Sequence, residues 1–327
     1  MTETEKTIPA CKQRFRDAQF GLMLHFGLYS LLGGEWKGRR IPEIGEWAQA
    51  YFRIPNAEYH QLARAFDPIL FDAEDYVRAA QAAGMKYIVI TAKHHEGFAL
   101  FRSRVDRFNV VDATPFGRDV VGELAEACAR HGMKLGLYYS QEIDWSHPDG
   151  GGWGVPFKNF GTTSWTNDWD YPDNEHKNYT RCLEEKIKPQ MQELLTQYGD
   201  LFLVWCDTPW NISEAQSREL YDMIKHYQPE CMVNSRIGNG LGDYTSAGDN
   251  EIPAQKDYDV LYETPATLND TWGWKSFDQN WKSAAQVRNT RDHLRALGAN
   301  YLLNVGPDNL GRIPAAAEAI LREVGQA

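Results

Sequence analysis

The carboxylate of Asp207 stands at the end of the apolar run LFLVWCD, which spans residues 201–207. In a β-strand, residues two apart point to the same face, so Trp205 and Asp207 should share one face and Cys206 the other. Burying that carboxylate without a partner would cost several kcal/mol. The run therefore indicates either a carboxylate that faces a sugar ring beside an indole, or a cap for the helix that follows.

Further carboxylates follow along the chain. Glu263 ends the short apolar segment that starts at residue 260, and Glu251 lies in the Gly-rich loop before that segment. Glycoside hydrolysis uses two carboxyl groups, one ionised at the anomeric centre and one that protonates the leaving oxygen. Asp207 is the candidate for the ionised group, and Glu263 and Glu251 are candidates for the acid. Glu46 and Asp144 are weaker candidates.

Other kinds of chemistry find less support in the sequence. His94 and His95 are adjacent, so on an extended chain they point apart, and no carboxylate-rich ligand set accompanies them. The chain has neither a Gly-x-Ser-x-Gly nucleophile turn nor a Walker phosphate loop. We therefore expect neither a metal nor an organic cofactor. The histidines are then hydrogen-bonding partners for sugar hydroxyls and Arg236 is a clamp for Asp207, although each could instead be structural.

Alternating strand-like and helix-like segments must position these side chains. Alternation of this kind is typical of a parallel sheet, and 327 residues suit a (β/α)8 barrel. Polar side chains recur just after the apolar runs, and in a barrel they would meet at one rim. They are His25, His94, His95, Tyr139, Asp207, Arg236 and Glu263. An open doubly wound sheet is the alternative, but the chain lacks a Gly-rich turn after the first run.

We therefore predict a single α/β domain, with residues 1–17 as an N-terminal arm or helix and residues 18–327 as a catalytic (β/α)8-like barrel. The net charge of −11 argues against binding to nucleic acids or anionic membranes. Five cysteines without a Cys-x-x-Cys pair, and no apolar signal core, indicate a cytoplasmic protein with reduced thiols. No apolar run is long enough to span a membrane.

Ten motifs occur along the chain in this order: FGLMLHFGLYS (20–30), GGEW (33–36), GEW (45–47), AKHHEGFALF (92–101), FNVVD (108–112), GRDVV (117–121), GLYYS (136–140), WCD (205–207), VNSR (233–236) and NYLLNVGP (300–307). Together they resemble glycoside hydrolase family 29, the retaining α-L-fucosidases, from about Phe15 to the end of the chain. Many members of that family carry a C-terminal β-sandwich after the barrel, and we expect none in this chain.

The resemblance implies that Asp207 is the catalytic nucleophile. It implies a fucose pocket formed by His25, Glu46, Trp47, His94, His95, Tyr139, Trp205 and Arg236. Glu263 becomes the first choice for the acid/base and Glu251 the second, because the position of this residue drifts within the family. The implied reaction is double displacement on a terminal α-L-fucose, with carboxyl groups about 5–5.5 Å apart and no cofactor.

Two other functions stay open at this stage. One is a non-catalytic fucose-binding barrel, and the other is a different retaining exo-glycosidase such as a galactosidase. The expected partner is a fucosylated oligosaccharide or glycoside. The sequence does not give the linkage, the aglycone or the oligomeric state, and a homo-oligomer is compatible with it.

Overall fold

The structure is a computed structural model that describes residues 9–151, 166–255 and 260–326. Residues 1–8 of the predicted N-terminal arm lie outside the described residues. The remainder of that arm forms the helix Ala10–Ala18, which leads directly into the first strand.

Eight parallel strands form one sheet in the described part of the chain. They are β1 (Phe20–Leu24), β2 (Tyr87–Lys93), β3 (Lys134–Ser140), β4 (Leu203–Asp207), β5 (Met232–Val233), β6 (Thr245–Ser246), β7 (Tyr262–Thr267) and β8 (Asn300–Val305). Each strand from β1 to β4 pairs with the next, and β1 also pairs with β8, which is followed by β7 and β6. A parallel bridge joins Asn234, directly after β5, to Tyr244, directly before β6, and so connects the two edges of the sheet. The sheet is therefore closed, and the predicted (β/α)8 barrel is confirmed.

Helices precede β1, connect most of the strands and follow β8. They are α1 (Ala10–Ala18), α2 (Tyr29–Leu32), α3 (Ala48–Phe52), α4 (Asn56–Tyr59), α5 (Ala73–Ala82), α6 (Val120–His131), α7 (Tyr179–Cys182), α8 (Lys188–Gln197), α9 (Glu214–Tyr227), α10 (Ala284–Leu297) and α11 (Ala315–Gly325), with a π-helical turn at Leu183–Ile187. Short 3-10 turns occur at Gly45–Trp47, His60–Ala65, Asn174–His176 and Ser235–Ile237, and a small hairpin pairs Glu35–Trp36 with Arg39–Arg40.

Local sequence explains where the longest helices begin and end. Ser213 and Ser283 each form a capping box with the glutamine three residues later, which satisfies backbone groups at the starts of α9 and α10. Gly132 and Gly298 end α6 and α10 in the left-handed conformation, which glycine adopts without steric cost. Of the described helices, none is long and apolar enough to cross a membrane.

Two predicted strand boundaries are wrong. The run before Arg236 is a strand only at Met232–Val233, so Arg236 lies in the 3-10 turn that follows and not directly at the strand end. The segment expected to end at Glu263 is a strand from Tyr262 to Thr267, so Glu263 lies near its beginning. Pro265 lies inside that strand, and because proline cannot donate a ladder hydrogen bond, the sequence suggested an end before it.

The barrel is closed at one end and open at the other. Side chains on the inner faces, including Met23, Tyr138 and Leu203, form a core that also takes in Phe15 from α1. The ring of Phe15 lies 4.3 Å from that of Tyr244, between ring centroids. Since α1 covers the amino ends of the strands, the carboxyl ends are left to form a site.

Candidate functional site

A cavity of about 530 Å³ opens at the carboxyl ends of the strands. That volume is in the range of small-molecule sites. It is lined by His25, Ile44, Glu46, Trp47, His94, His95, Tyr138, Trp205, Asp207, Thr208, Pro209, Trp210, Arg236, Asp249 and Trp272. Seven of the eight predicted pocket residues are among them, together with the predicted nucleophile, and the exception is Tyr139.

Asp207 ends β4 and points into the cavity. The predicted alternation is confirmed, since Trp205 belongs to the inner core whereas Val204 and Cys206 pack in the outer core. The hydroxyl of Tyr138 donates a hydrogen bond to Oδ2 of Asp207 at 2.8 Å. The backbone N–H of Asp207 donates to Oε1 of Gln141 at 2.7 Å. β3 and the segment that follows it therefore fix one carboxylate oxygen and the backbone N–H of Asp207.

Arg236 joins Asp207 to a second carboxylate, that of Asp249. Its Nη1 lies 2.9 Å from Oδ1 of Asp207, and its Nη2 lies 2.6 Å from Oδ1 of Asp249. The guanidinium also lies 4.6 Å from the ring centroid of Trp205. The two carboxylates are thus separated by no more than one guanidinium group and two hydrogen bonds. Asp249 is 50% exposed and Asp207 only 14%, so the second carboxylate lies nearer the mouth.

The hydrogen bonds of His25 and His95 indicate which ring nitrogen of each carries the proton. Nδ1 of His25 lies 2.7 Å from Oδ1 of Asn304, whose own Nδ2 donates to a backbone carbonyl. Nδ1 of His95 lies 2.7 Å from Oγ of Ser140, whose hydroxyl donates to the carbonyl of Ile143. In both cases Nδ1 is the donor, which leaves Nε2 as an acceptor.

Burial keeps these rings neutral. It lowers the pKa of His25 to about 4, although the hydrogen bond with Asn304 opposes that change. It also lowers the pKa of His94 and His95 well below the usual value. At neutral pH, His25 and His95 therefore offer Nε2 lone pairs that can accept hydrogen bonds.

Glu46, in contrast to the acceptor histidines, is a hydrogen-bond donor at the cavity wall. Its side chain is buried at the cavity wall, and Oε2 accepts the backbone N–H of Gly273 at 2.7 Å. Burial raises the pKa of Glu46 to about 8, with the hydrogen bond from Gly273 opposing the rise. At neutral pH the carboxyl is therefore protonated and can donate a hydrogen bond. Its neighbour Trp47 packs edge-on against His95 with 5.3 Å between ring centroids.

Tyr139 does not reach the cavity. Its hydroxyl donates to Oε1 of Gln190 at 2.8 Å, and its ring belongs to the outer core between the sheet and the helices. The predicted placement of Tyr139 in the pocket is wrong, because successive residues of β3 face opposite sides. Tyr138 occupies the inner position. The alternation of side chains that was used for β4 would have identified Tyr138 if it had also been applied to β3.

Neither predicted acid/base residue lines the cavity. Glu263 is fully buried inside the barrel, where its oxygens accept hydrogen bonds from the hydroxyl of Tyr87 at 2.6 Å and from Nε1 of Trp205 at 2.9 Å. Burial raises its pKa to about 7, and these hydrogen bonds oppose the rise. Glu251 is exposed and does not contribute to the cavity wall.

Sequence reasoning missed Tyr138, Asp249, Trp272 and the loop that carries Thr208, Pro209 and Trp210 as site residues. The alternation of side chains along β3 could have identified Tyr138, whereas Asp249 lies in a loop without a periodic pattern. Among the described residues, no group of three or more His, Cys, Asp or Glu side chains is arranged to hold a metal ion.

Comparison with known proteins gives consistent results. A family profile described as Alpha-L-fucosidase matches residues 2–326. A putative alpha-L-fucosidase from Caenorhabditis elegans is 29% identical over 95% of this chain, which spans 64% of that protein's length. The solved structure of alpha-L-fucosidase AlfC from Lactobacillus casei in complex with its α-L-fucose product is 50% identical, with a TM-score of 0.92 and 97% of each chain covered.

A second AlfC structure contains the disaccharide Fuc(α1,6)GlcNAc. It is 48% identical, with a TM-score of 0.91 and 97% of each chain covered. The chain thus matches AlfC over nearly the whole length of both proteins. It spans slightly less than two thirds of the length of the C. elegans protein.

Proposed function

The chain belongs to the alpha-L-fucosidase family, and on that premise we propose that it is a retaining exo-α-L-fucosidase. The observation that carries the proposal is the pair of carboxylates, Asp207 and Asp249, held on one guanidinium at the wall of one cavity. A retaining glycosidase needs two carboxyl groups about 5–5.5 Å apart, on either side of the scissile bond. A single bridging arginine keeps the two groups at short range.

In the proposed reaction Asp207 attacks the anomeric carbon while Asp249 donates a proton to the leaving glycosidic oxygen. The C–O bond to the leaving group breaks and a fucosyl ester of Asp207 forms. Asp249, now a carboxylate, then takes a proton from water, whose oxygen attacks the same carbon and releases Asp207. The half-exposed position of Asp249 supports this role, because both the leaving group and the water reach the site from the mouth.

Asp249 replaces Glu263 and Glu251 in this proposal because of their placement. The carboxylate of Glu263 is enclosed by Tyr87 and Trp205, so it has no path to a glycosidic oxygen in the cavity. Glu251 is exposed outside the cavity wall. Geometry is the first requirement for a general acid.

The pocket chemistry supports a neutral deoxy-sugar as the bound ring. His25 and His95 offer acceptors for sugar hydroxyls, and protonated Glu46 offers a donor. The indoles of Trp47, Trp205 and Trp272 supply apolar wall, against which the C6 methyl group of fucose could pack. The product and disaccharide complexes of AlfC lead us to propose fucosylated oligosaccharides as the substrate class.

Azide rescue with an aryl α-L-fucoside tests the two roles separately. Asp207→Gly and Asp249→Gly should each lose activity, the first by on the order of 10⁴-fold. Azide should restore turnover of Asp207→Gly with formation of the β-fucosyl azide, since it attacks from the vacated nucleophile face. It should restore turnover of Asp249→Gly with formation of the α-fucosyl azide, since it attacks the fucosyl ester.

Glu263→Gln is the matched control, since it changes a carboxyl group that does not line the cavity. Rescue of a Glu263→Gly variant with α-azide product, and none for Asp249→Gly, would reverse the assignment of the acid/base. Wild-type protein that binds fucose but hydrolyses no α-L-fucoside would indicate a sugar-binding barrel instead.

Two expectations about cell biology extend the proposal. A cytoplasmic location is supported by the cysteines, all five of which are free and buried. Fractionation of cells that express the protein would test the location. A homo-oligomer stays a prediction, and sedimentation velocity would test it.

A further inference from the structure

Trp210 is an exposed indole at the edge of the catalytic cavity. Six large apolar side chains in the described residues are exposed, and among them only Trp210, at 55%, lines the cavity. An indole offers a large flat apolar surface whose exposure to water is unfavourable. Its position at a site, rather than scattered on the surface, indicates a binding role.

The loop that carries Trp210 is fixed in place. The carboxylate of Glu142 accepts the backbone N–H groups of Asn211 at 2.6 Å and Ile212 at 3.1 Å. Nδ2 of Asn239 donates to the carbonyl of Ile212 at 2.9 Å. Immediately after these contacts the capping box of Ser213 begins α9. A loop held at both its N–H and C=O groups presents its side chain with little ordering cost on binding.

The exposure of the lining residues defines a direction through the cavity. His25, Glu46 and His95 are each at most 5% exposed and form its floor, whereas Asp249 and Trp210 are at least half exposed and lie toward solvent. A general acid must stand beside the glycosidic oxygen, which joins the two sugar rings. The ring beyond that oxygen therefore lies toward the solvent-exposed mouth of the cavity, to whose lining Trp210 contributes.

We propose that Trp210 is the platform of a leaving-group subsite that takes a second pyranose ring. The ring to which fucose is attached would lay its C–H face on the indole. Glu142 would be a positioning residue that holds the loop without touching substrate. This inference rests on the proposed function, and it assigns to Trp210 and its loop the recognition of the ring from which fucose is released.

Two substrates with different leaving groups test the subsite. α-L-Fucosyl fluoride has a one-atom leaving group, whereas Fuc(α1,6)GlcNAc places a pyranose in the subsite. For Trp210→Ala we expect kcat/KM for the disaccharide, divided by that for the fluoride, to fall about tenfold. Trp210→Phe keeps an aromatic face and should recover most of that ratio. Glu142→Gln should lower the ratio in the same direction by a smaller factor.

Tyr227→Ala is the matched control, because Tyr227 is an exposed aromatic residue at the end of α9 and does not line the cavity. It should leave the ratio at the wild-type value. Equal losses on both substrates for Trp210→Ala, or no loss on either, would overturn the subsite. Wild-type protein that hydrolysed neither substrate would overturn the proposed function, and this inference with it.

Discussion

The polar side chains of the cavity owe their protonation states to burial. Neutral His25 and His95 accept through Nε2 because Asn304 and Ser140 fix the proton on Nδ1. Glu46 keeps its proton at neutral pH because burial raises its pKa to about 8. The floor of the cavity therefore carries little charge, and the carboxyl groups of Asp207 and Asp249 and the guanidinium of Arg236 are concentrated where the reaction takes place. A neutral sugar can be desolvated on such a floor without exchanging water for fixed ions.

Tyr138 and Tyr139 provide a matched pair for testing the carboxylate environment. Tyr138→Phe removes the hydrogen bond to Oδ2 of Asp207, and a bond to a charged group contributes about 1.5–3 kcal/mol, so we expect kcat/KM to fall about 10- to 100-fold. Tyr139→Phe removes a bond to Gln190 on the outer side of the sheet and should change thermal stability while kcat/KM stays within about twofold. Kinetics and melting curves of both variants measure this, and the expectation fails if Tyr139→Phe is the slower enzyme.

At the scale of elements, a buried ion network ties the exits of β2 and β3 to the π-helical turn before α8. Asp144 lies 3.1 Å from Nζ of Lys93 and 2.9 Å from Nζ of Lys186, and both of its neighbours are buried. Lys186 also lies 2.6 Å from Asp106. The loop of Asp144 continues into Trp145, whose N–H donates to the carbonyl of His95. The network thus supports the backbone that places His94 and His95 in the cavity.

Removing the central charge of this network should be costly. Asp144→Asn leaves Lys93 without its carboxylate partner and Lys186 with Asp106 alone, and breaking a buried pair typically costs about 3–5 kcal/mol. We expect a lower free energy of unfolding by about that amount in urea titrations. Asp75→Asn, which breaks an exposed pair with Arg78 on α5, is the control and should leave the unfolding midpoint unchanged. Equal midpoints for the two variants would show that the network contributes little.

The sequence predicted those elements whose apolar runs are long enough to show a period. The runs that contain β1 to β4 and β8 are of that kind. The polar residues predicted for β1, β2 and β4 do line one cavity, whereas Tyr139 of β3 faces the outer core. β5 and β6 have two residues each, too few for any alternation, so the loop that carries Asp249 could not be placed from its pattern. Glu263 was chosen because Pro265 suggested that the strand ends before residue 265. The strand in fact continues to Thr267, so Glu263 lies near its beginning.

At the scale of the whole molecule, the barrel is closed at its amino end by an apolar side chain and holds a buried carboxyl group beneath the cavity. α1 covers the amino ends of the strands with Phe15, and Asn300 binds the carbonyl of Phe15 at 2.9 Å. Beneath the cavity, Glu263 connects Tyr87 on β2 with Trp205 on β4 across the interior. The indole that supports Arg236 is therefore held from below by a group that never meets the substrate. Buried carboxyls of this kind make the stability of the whole fold sensitive to pH.

The buried acids and the buried histidines change stability in opposite directions as pH rises, over overlapping pH ranges. For Glu46 the pKa rises from 4.5 to about 8 on folding, so between these values the native state holds a proton that the unfolded state has released, and stability falls as pH rises. Glu142 and Glu263 act in the same direction up to about pH 7. For His25 the pKa falls from 6.5 to about 4, so its contribution raises stability with pH only below 6.5.

Above pH 6.5 the histidine contribution is complete and the acids alone remain, so we expect stability to decline from pH 6.5 to 8. Each fully buried acid contributes a slope of up to about 1.4 kcal/mol per pH unit while its two states differ by one proton. Glu46→Gln should flatten the decline through pH 8, because the amide cannot ionise. Glu126→Gln, which changes a carboxyl that is 76% exposed on α6, should keep the wild-type slope. Urea unfolding at half-unit pH intervals measures all three proteins, and identical slopes for the two variants would place the pH dependence in groups other than Glu46.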